Sequence, residues 1–324
     1  MKIIVMKFGG SSLADPEKIK VTAERAIKTR AAGFAVALTV SAPADLTDDL
    51  IVLSDSLTAK SAGREHDALL SAGETISAAL TAMAINACGV AAVSLSAAQA
   101  GIRTDSRHGC ADISAVGPAR ILRELKKGRI TVIAGFQGIN AAGDITTLGR
   151  GGSDLTAVAL AHALKAERCE LYTDVRGVYT ANPAVVPSAR MLRTISYCDM
   201  LELARSGTEI RQLRAVIYAK KHNIVLHLRS AFETGEGTLV CNFPAGAGPQ
   251  VTGFSIQKSA DSAMVYLIGS RLNFPGIKTA LRTAAAAGGH NLTGERYTPG
   301  RITLTTGFRD GERLLRTLHK EFIE

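Results

Sequence analysis

An α/β domain followed by a small ferredoxin-like α+β unit is the fold this sequence predicts. Three observations predict it. The chain opens with an apolar strand, Ile3 to Lys7, that runs into a glycine turn and then a helix. Near its middle a second glycine-rich turn, within Thr146–Ala157, separates the strand-like run Ile130–Ala134 from an alanine-rich helical run, Leu155–Leu164. After a Gly/Pro-rich stretch, Phe243–Pro249, the remaining segments follow a β–α–β–β–α order with a leading strand near Phe254–Gln257.

The first strand leads into Phe8-Gly9-Gly10-Ser11-Ser12, and a helix start is signalled by Asp15-Pro16-Glu17, a cap followed by proline in the first turn. This is not a Walker A loop, because no Gly-Lys-Ser/Thr follows the glycines. Lys7 stands ahead of them, where it can reach a transferring phosphoryl group while Gly9 and Gly10 offer backbone N–H groups. An ordinary β-turn beside a snorkelling lysine fits the same residues. Val36–Val40 is a second buried strand, ending in Ser41-Ala42-Pro43-Ala44-Asp45-Leu46-Thr47. Strand C-termini are where open α/β sheets collect ligands. Ser41 and Thr47 can donate hydroxyls there, or cap the next helix.

Two helical runs, about 48–60 and 65–86, come next, and Leu70-Ser71-Ala72-Gly73-Glu74 falls in the second. Glu74 is either a solvated helix glutamate or, following a small-residue kink in an apolar segment, a carboxylate that holds an ammonium group. Ala91–Leu95 is a short strand and residues 98–105 a loop; Gly135-Phe136-Gln137-Gly138 is a glycine turn at the end of Ile130–Ala134. In the central turn, Gly149, Gly151 and Gly152 let N–H groups converge, Arg150 adds a planar cationic fork, and Ser153 and Asp154 suit the N-cap of the following helix. Such helix starts attract anions. Glu170–Val175 is a strand whose end turns polar; Thr173 and Asp174 are placed to touch a nucleotide, and Tyr179 to flank its base or ribose. Helices at about 198–206 and 211–221 and strands at 224–228 and 238–242 complete the large domain, 1–245. The module 250–324 follows, with strands at 263–268, near Asn291 and at 301–305, and helices at 276–287 and 311–322.

Composition narrows the function. The 324 residues are 46% apolar and 5% aromatic, with no Trp and a formal net charge of +9. The basic residues are dispersed and lack aromatic interleaving, which argues against nucleic acid; the balance suits an anionic nucleotide and an acidic substrate. No run of eighteen apolar residues suggests a membrane span. The first seven residues are charged too early for a signal peptide. Five scattered cysteines without a CxxC pair read as reduced thiols in the cytoplasm. The seven histidines show no metal-ligand spacing.

Five motifs in order carry a resemblance: Lys7-Phe8-Gly9-Gly10-Ser11-Ser12, Ser71-Ala72-Gly73-Glu74, Gly135-Phe136-Gln137-Gly138, Gly149-Arg150-Gly151-Gly152-Ser153-Asp154 and Tyr172-Thr173-Asp174-Val175. The set resembles the aspartate kinases of the amino-acid kinase family over nearly the whole chain. The resemblance implies a three-layer α/β sandwich with a mostly parallel sheet, and an ACT-like module at 250–324 that mediates homo-oligomer pairing. It implies transfer of the γ-phosphoryl group of ATP to the side-chain carboxylate of L-aspartate, with Mg²⁺ riding on ATP and no metal site in the protein. Lys7, Gly9, Gly10 and Ser11 would hold the migrating phosphoryl group. Arg150 would clamp a substrate carboxylate, and Glu74 would bind the ammonium. Ser41, Thr47 and Ser153 would complete that pocket, and Asp154 would organise the lysine. Thr173, Asp174 and Tyr179 would line the nucleotide site.

This chain departs from the family pattern at Arg176, at Ala184 and at Glu209, where the family has Asp, Arg and Lys; Arg176 or Arg211 can restore charge from a neighbouring position. The family carries two ACT units where 250–324 has room for one, and its polar effector loop is replaced by Leu292–Gly300. Lysine or threonine feedback is therefore expected to be absent. Two alternatives stay open: a divergent amino-acid kinase acting on another small acid, and a non-catalytic regulatory subunit with a weakened ATP site.

Overall fold

A computed structural model describes residues 1–58, 63–207, 213–242 and 250–324. The expected linker Phe243–Pro249 and the positions Glu209 and Arg211 lie outside the described residues. In chain order the elements are β1 (Ile3–Phe8), α1 (Pro16–Ala31), β2 (Ala35–Val40), α2 (Leu46–Leu57), α3 (Arg64–Ala87), β3 (Ala92–Leu95), α4 (Ala97–Ala100), β4 (Ile102–Thr104), β5 (Ile113–Val116), α5 (Ala119–Lys126), β6 (Ile130–Ala134), β7 (Gln137–Ile139), β8 (Ile145–Thr147), α6 (Gly152–Ala163), β9 (Arg168–Thr173), β10 (Thr194–Ser196), α7 (Tyr197–Arg205), α8 (Leu213–His222), β11 (Leu226–Ser230), β12 (Thr238–Cys241), β13 (Gln250–Lys258), β14 (Ser262–Ser270), α9 (Pro275–Ala287), β15 (Leu292–Tyr297), β16 (Arg301–Gly307) and α10 (Gly311–Ile323). They form two compact units, residues 1–176 with 218–236, and 177–217 with 237–324.

The first unit is built on parallel strands in the order β3-β6-β2-β1-β9-β11. Parallel strands are covered on both faces and so read as apolar runs; all six residues of β1 are buried. Alternation then sorts them. Ile4, Met6 and Phe8 join Ile19, Ala23 and Ala26 of α1 and Ala78, Ala82 and Ile85 of α3 in one core. Lys7, between Met6 and Phe8, faces the other way, toward α6. Helices on both sheet faces give the expected three layers. α6 is buried from Gly152 through Ala161, so its small residues let a polar sheet-end group and an apolar helix lie close together. Asp15 caps α1, accepting from the Lys18 N–H at 2.9 Å.

α3 is long and apolar enough, by length and composition, to cross a membrane. Its Asp67, Ser71, Glu74, Ser77 and Thr81 are nevertheless buried against the protein, which marks it as a core helix.

Three differences from the sequence reading have local causes. Residues 98–105 are not a loop: Ser96 and Gln99 close a capping box on the single-turn α4, and β4 follows. Gln137 and Gly138 leave the glycine turn to enter β7, part of a small sheet of order β5-β4-β7-β8. The strand expected near Asn291 is β15, which runs on through Tyr297 paired to β16 and so takes up most of the stretch read as replacing the effector loop.

The second unit contains the antiparallel sheet β13-β14-β16-β15, with β10 and β12 pairing in parallel apart from it. Leu281 of α9 and Leu314, Leu315 and Leu318 of α10 pack with Val265, Leu267, Ile302 and Leu304 of the antiparallel sheet. This is the ferredoxin-like order, with the leading strand β13 beside β14.

Candidate active site

The site lies where β1 and β2 end. The Ser41 N–H donates to the Phe8 carbonyl at 3.2 Å, tying the two strand ends together. Gly9 begins a tight turn, closed by Ser12 N–H to Gly9 C=O at 3.0 Å and Leu13 N–H to Gly10 C=O at 2.9 Å. Gly10 is required by close approach. A Cβ there would stand 2.8 Å from the Ala42 carbonyl oxygen, and the Ala44 N–H donates to the Gly10 carbonyl at 3.0 Å. Ala44 itself takes φ +34°, and Phe136, at the end of β6, takes φ +67°. Non-glycine residues in this region are strained, and such strain gathers at functional sites.

Lys7 Nζ lies 2.8 Å from Asp154 Oδ1, with side-chain exposures of 8% and 4%. A Cβ on Gly9 would stand 3.6 Å from the same Nζ, so the ammonium sits at the glycine turn. The carboxylate comes from the first turn of α6, and here the sequence reading needs correction. The N-cap is Gly151, in the left-handed region at φ +74°, and Ser153 and Asp154 are inside the helix. A glycine supplies the φ that a capping Ser or Asp takes only with strain, so the helix starts earlier and the Asp154 carboxylate is directed to Lys7 rather than to a cap. Ser153 is buried, and a Cβ on Gly135 would stand 2.9 Å from its Cβ and Oγ. Arg150, just before Gly151, is exposed.

Glu74 is buried to 3% exposure on α3, and its Oε1 accepts from the Ala42 N–H at 3.0 Å. Burial raises its carboxyl to about 7, against the lowering pull of the Ala42 N–H and Lys7. Among the described residues, buried Glu74 Oε2 has no hydrogen-bond partner. An acceptor in that condition suits a cationic donor. Ser41 and Thr47 are half-buried. The N-cap of α2 is Asp45, so Thr47 lies inside the helix and its hydroxyl does not cap it. Ser11 is exposed in the glycine turn.

At the end of β9, Thr173 Oγ1 bonds within its own turn to Val175, and Asp174 is exposed. Tyr172 stacks on Phe8 with ring centroids 4.3 Å apart, fixing the β9 end beside β1. Tyr179 belongs to the second unit, bridged to Met191. Ala184 is exposed in the same unit, its N–H held by Asn182 Oδ1 at 3.0 Å. Arg176 pairs with Glu233. Among the described residues no group of three or more His, Cys, Asp or Glu side chains could hold a metal ion. None of the five cysteines forms a disulfide among the described residues.

The first unit therefore gathers a buried lysine–aspartate pair, a partly exposed glycine turn, and a buried glutamate whose Oε2 has no partner among the described residues. Sequence reasoning missed the Ala42 N–H, a backbone group with no residue signature. It also missed Asp67, whose signal was its place seven residues before Glu74 on one helix.

Residues 2–230 match the amino acid kinase family. An aspartokinase of Mycolicibacterium smegmatis is 48% identical over 241 residues, which is 74% of this chain and 57% of that protein. An aspartokinase of Thermus thermophilus is 44% identical over 289 residues, 89% of this chain and 71% of that protein. The chain thus spans little more than half the length of the mycobacterial relative. Among solved structures, Escherichia coli aspartokinase III in complex with aspartate and ADP superposes with a TM-score of 0.82 at 21% identity, covering all of both chains. That likeness concerns the fold.

Proposed function

The chain belongs to the amino acid kinase family, and from that premise we propose that it is an aspartate kinase, transferring the γ-phosphoryl group of ATP to the side-chain carboxylate of L-aspartate. The relatives at 44–48% identity, each an aspartokinase, support that substrate. One observation carries the chemistry: the buried Lys7–Asp154 pair at the Gly9–Gly10 turn. Phosphoryl transfer depends on positioning and charge neutralisation. Asp154 holds the lysine ammonium in place, and the ammonium and the N–H groups of Gly9, Gly10 and Ser11 stabilise negative charge as it moves between oxygens. The attacking carboxylate is already ionised near neutral pH, so no general base is needed.

Glu74 Oε2 takes the substrate ammonium, and Arg150 takes a substrate carboxylate through its planar fork. Ser41, Thr47 and Ser153 complete the pocket. Thr173 and Asp174 serve the nucleotide, with Mg²⁺ held mainly by ATP oxygens, as this hard ion prefers. Residues 1–245 form the catalytic domain. Residues 250–324 form an ACT-like module that pairs subunits, and the enzyme works in the cytoplasm.

The test is ADP release with Mg-ATP and a panel of acidic amino acids. Turnover with L-aspartate above all others is expected. Preference for a different acid would make the chain another amino-acid kinase. No turnover and no Mg-ATP binding would make it a non-catalytic subunit.

A further inference from the structure

The first turns of α3 carry a carboxylate that the proposed chemistry does not use. Asp67 has no side-chain exposure. It precedes Glu74 by seven residues, two helical turns, so both carboxylates share one face of α3. Thr147 Oγ1 donates to its Oδ1 at 2.5 Å, His108 Nδ1 lies 2.7 Å from its Oδ2, and the Gly109 N–H is 3.1 Å from both oxygens. A carboxylate only accepts, so these three donors satisfy a charge that burial would otherwise penalise heavily.

The donors come from two segments that are themselves joined. The Ala111 N–H donates to the Thr147 carbonyl at 2.9 Å, and Ala111, Leu148 and Leu155 form one apolar cluster. A Cβ on Gly149 would stand 3.0 Å from the Gly109 carbonyl oxygen. Residues 109–111 are therefore the floor beneath Gly149, the residue before Arg150. The Gly152 N–H closes the turn on the Gly149 carbonyl at 2.9 Å.

We propose that Asp67 is a positioning residue for the Gly149–Asp154 turn. It ties Gly109 and Thr147 to the helix that carries Glu74, and so sets the separation between Arg150 and Glu74, the two groups assigned to opposite ends of the amino-acid substrate. The inference rests on the kinase reading above. Planar two-point recognition of a carboxylate tolerates little displacement. Release of the tie misplaces Arg150 for the acceptor substrate while leaving the Gly9–Gly10 turn in place for ATP.

Three variants of the full chain decide the matter: Asp67→Asn, Thr147→Val and Thr147→Ser. In the first two the KM for L-aspartate is expected to rise tenfold or more while the KM for Mg-ATP stays within twofold. Thr147→Ser, which keeps the donor, should stay within twofold of wild type in both. Amide hydrogen exchange across residues 146–155 of the free protein should quicken with Thr147→Val and not with Thr147→Ser. An unchanged aspartate KM in folded Thr147→Val, or an equal rise in both KM values, overturns the proposal; the Thr147 pair decides even where Asp67→Asn fails to fold. The exchange readout separates the two readings. Wild type inactive on aspartate, with exchange still dependent on the Thr147 hydroxyl, removes the kinase reading and leaves the tie. Wild type active on aspartate, with exchange and KM indifferent to that hydroxyl, removes the tie alone.

Discussion

The parallel-sheet unit and the ferredoxin-like sheet place their lysine and carboxylate charges differently. In the first, Lys7, Asp67, Glu74 and Asp154 are all buried, at 7%, 0%, 3% and 3% exposure. In the second, Arg282 with Glu295, Lys258 with Glu312, and Arg316 with Glu312 each keep a side chain at least a third exposed, and Arg301 with Glu202 is half-buried. Taking an ion out of water costs several kcal/mol, which a partner must offset. A fold accepts that penalty where chemistry needs a dry, directed charge. In the ferredoxin-like sheet the core of Val265, Leu267, Ile302 and Leu304 is plain aliphatic packing.

The comparison is broken most severely at Lys7. Lys7→Met leaves Asp154 buried without its cation and is expected to lower stability by about 3–5 kcal/mol. It should also reduce turnover by about a thousandfold or more. Adding Asp154→Asn should return most of the stability while turnover stays absent. Urea unfolding beside an ADP-release assay reads both, and a double variant that regains activity would show the pair to be structural.

Glu74 gives an intermediate effect with a sign. Its carboxyl is raised from 4.5 to about 7 by burial. Between those values the folded protein keeps a proton that the unfolded chain has released, so stability falls as pH rises through the window, by on the order of 3 kcal/mol in all. Substrate ammonium needs the ionised form, so kcat/KM for aspartate should rise over the same range as the free enzyme loses that proton. Glu74→Gln should flatten both profiles, as denaturant melts and initial rates from pH 5 to 8.5 would record. A slope retained in the variant would assign the titration to another group.

The smallest effect belongs to the rim. Arg282→Ala removes the bidentate contact with Glu295, yet exposed pairs contribute little. The melting temperature and turnover should match wild type within error. A marked loss of either would place Arg282 in an interface rather than in solvent.

Much of the sheet was legible because buried parallel strands must be apolar: Ile3–Phe8, Ala35–Val40 and Ile130–Ala134 announce themselves. The glycine turns and Lys7 were legible because few residue types fit those positions. The small sheet was not. Its β4, β7 and β8 are three residues each, too short for a period to show. The start of α6 was misplaced because a glycine at positive φ can open a helix without a capping side chain. Asp67 was easily overlooked for a different reason. A single aspartate near a helix start normally faces water, and its partners Gly109 and Thr147 are 42 and 80 residues away.

The helix that carries Thr47 has a consequence of its own. None of the twelve residues of α2 is buried, and Val52, Leu53 and Leu57 stand exposed. Segments with so few internal anchors open at a small fraction of the global unfolding free energy. The wall of the proposed pocket that carries Thr47 is therefore expected to open locally, and apparent affinity would then scale with the fraction of time that wall stands. Residence time would then depend on a lightly tethered helix, and turnover could be tuned there without touching the groups assigned to the phosphoryl.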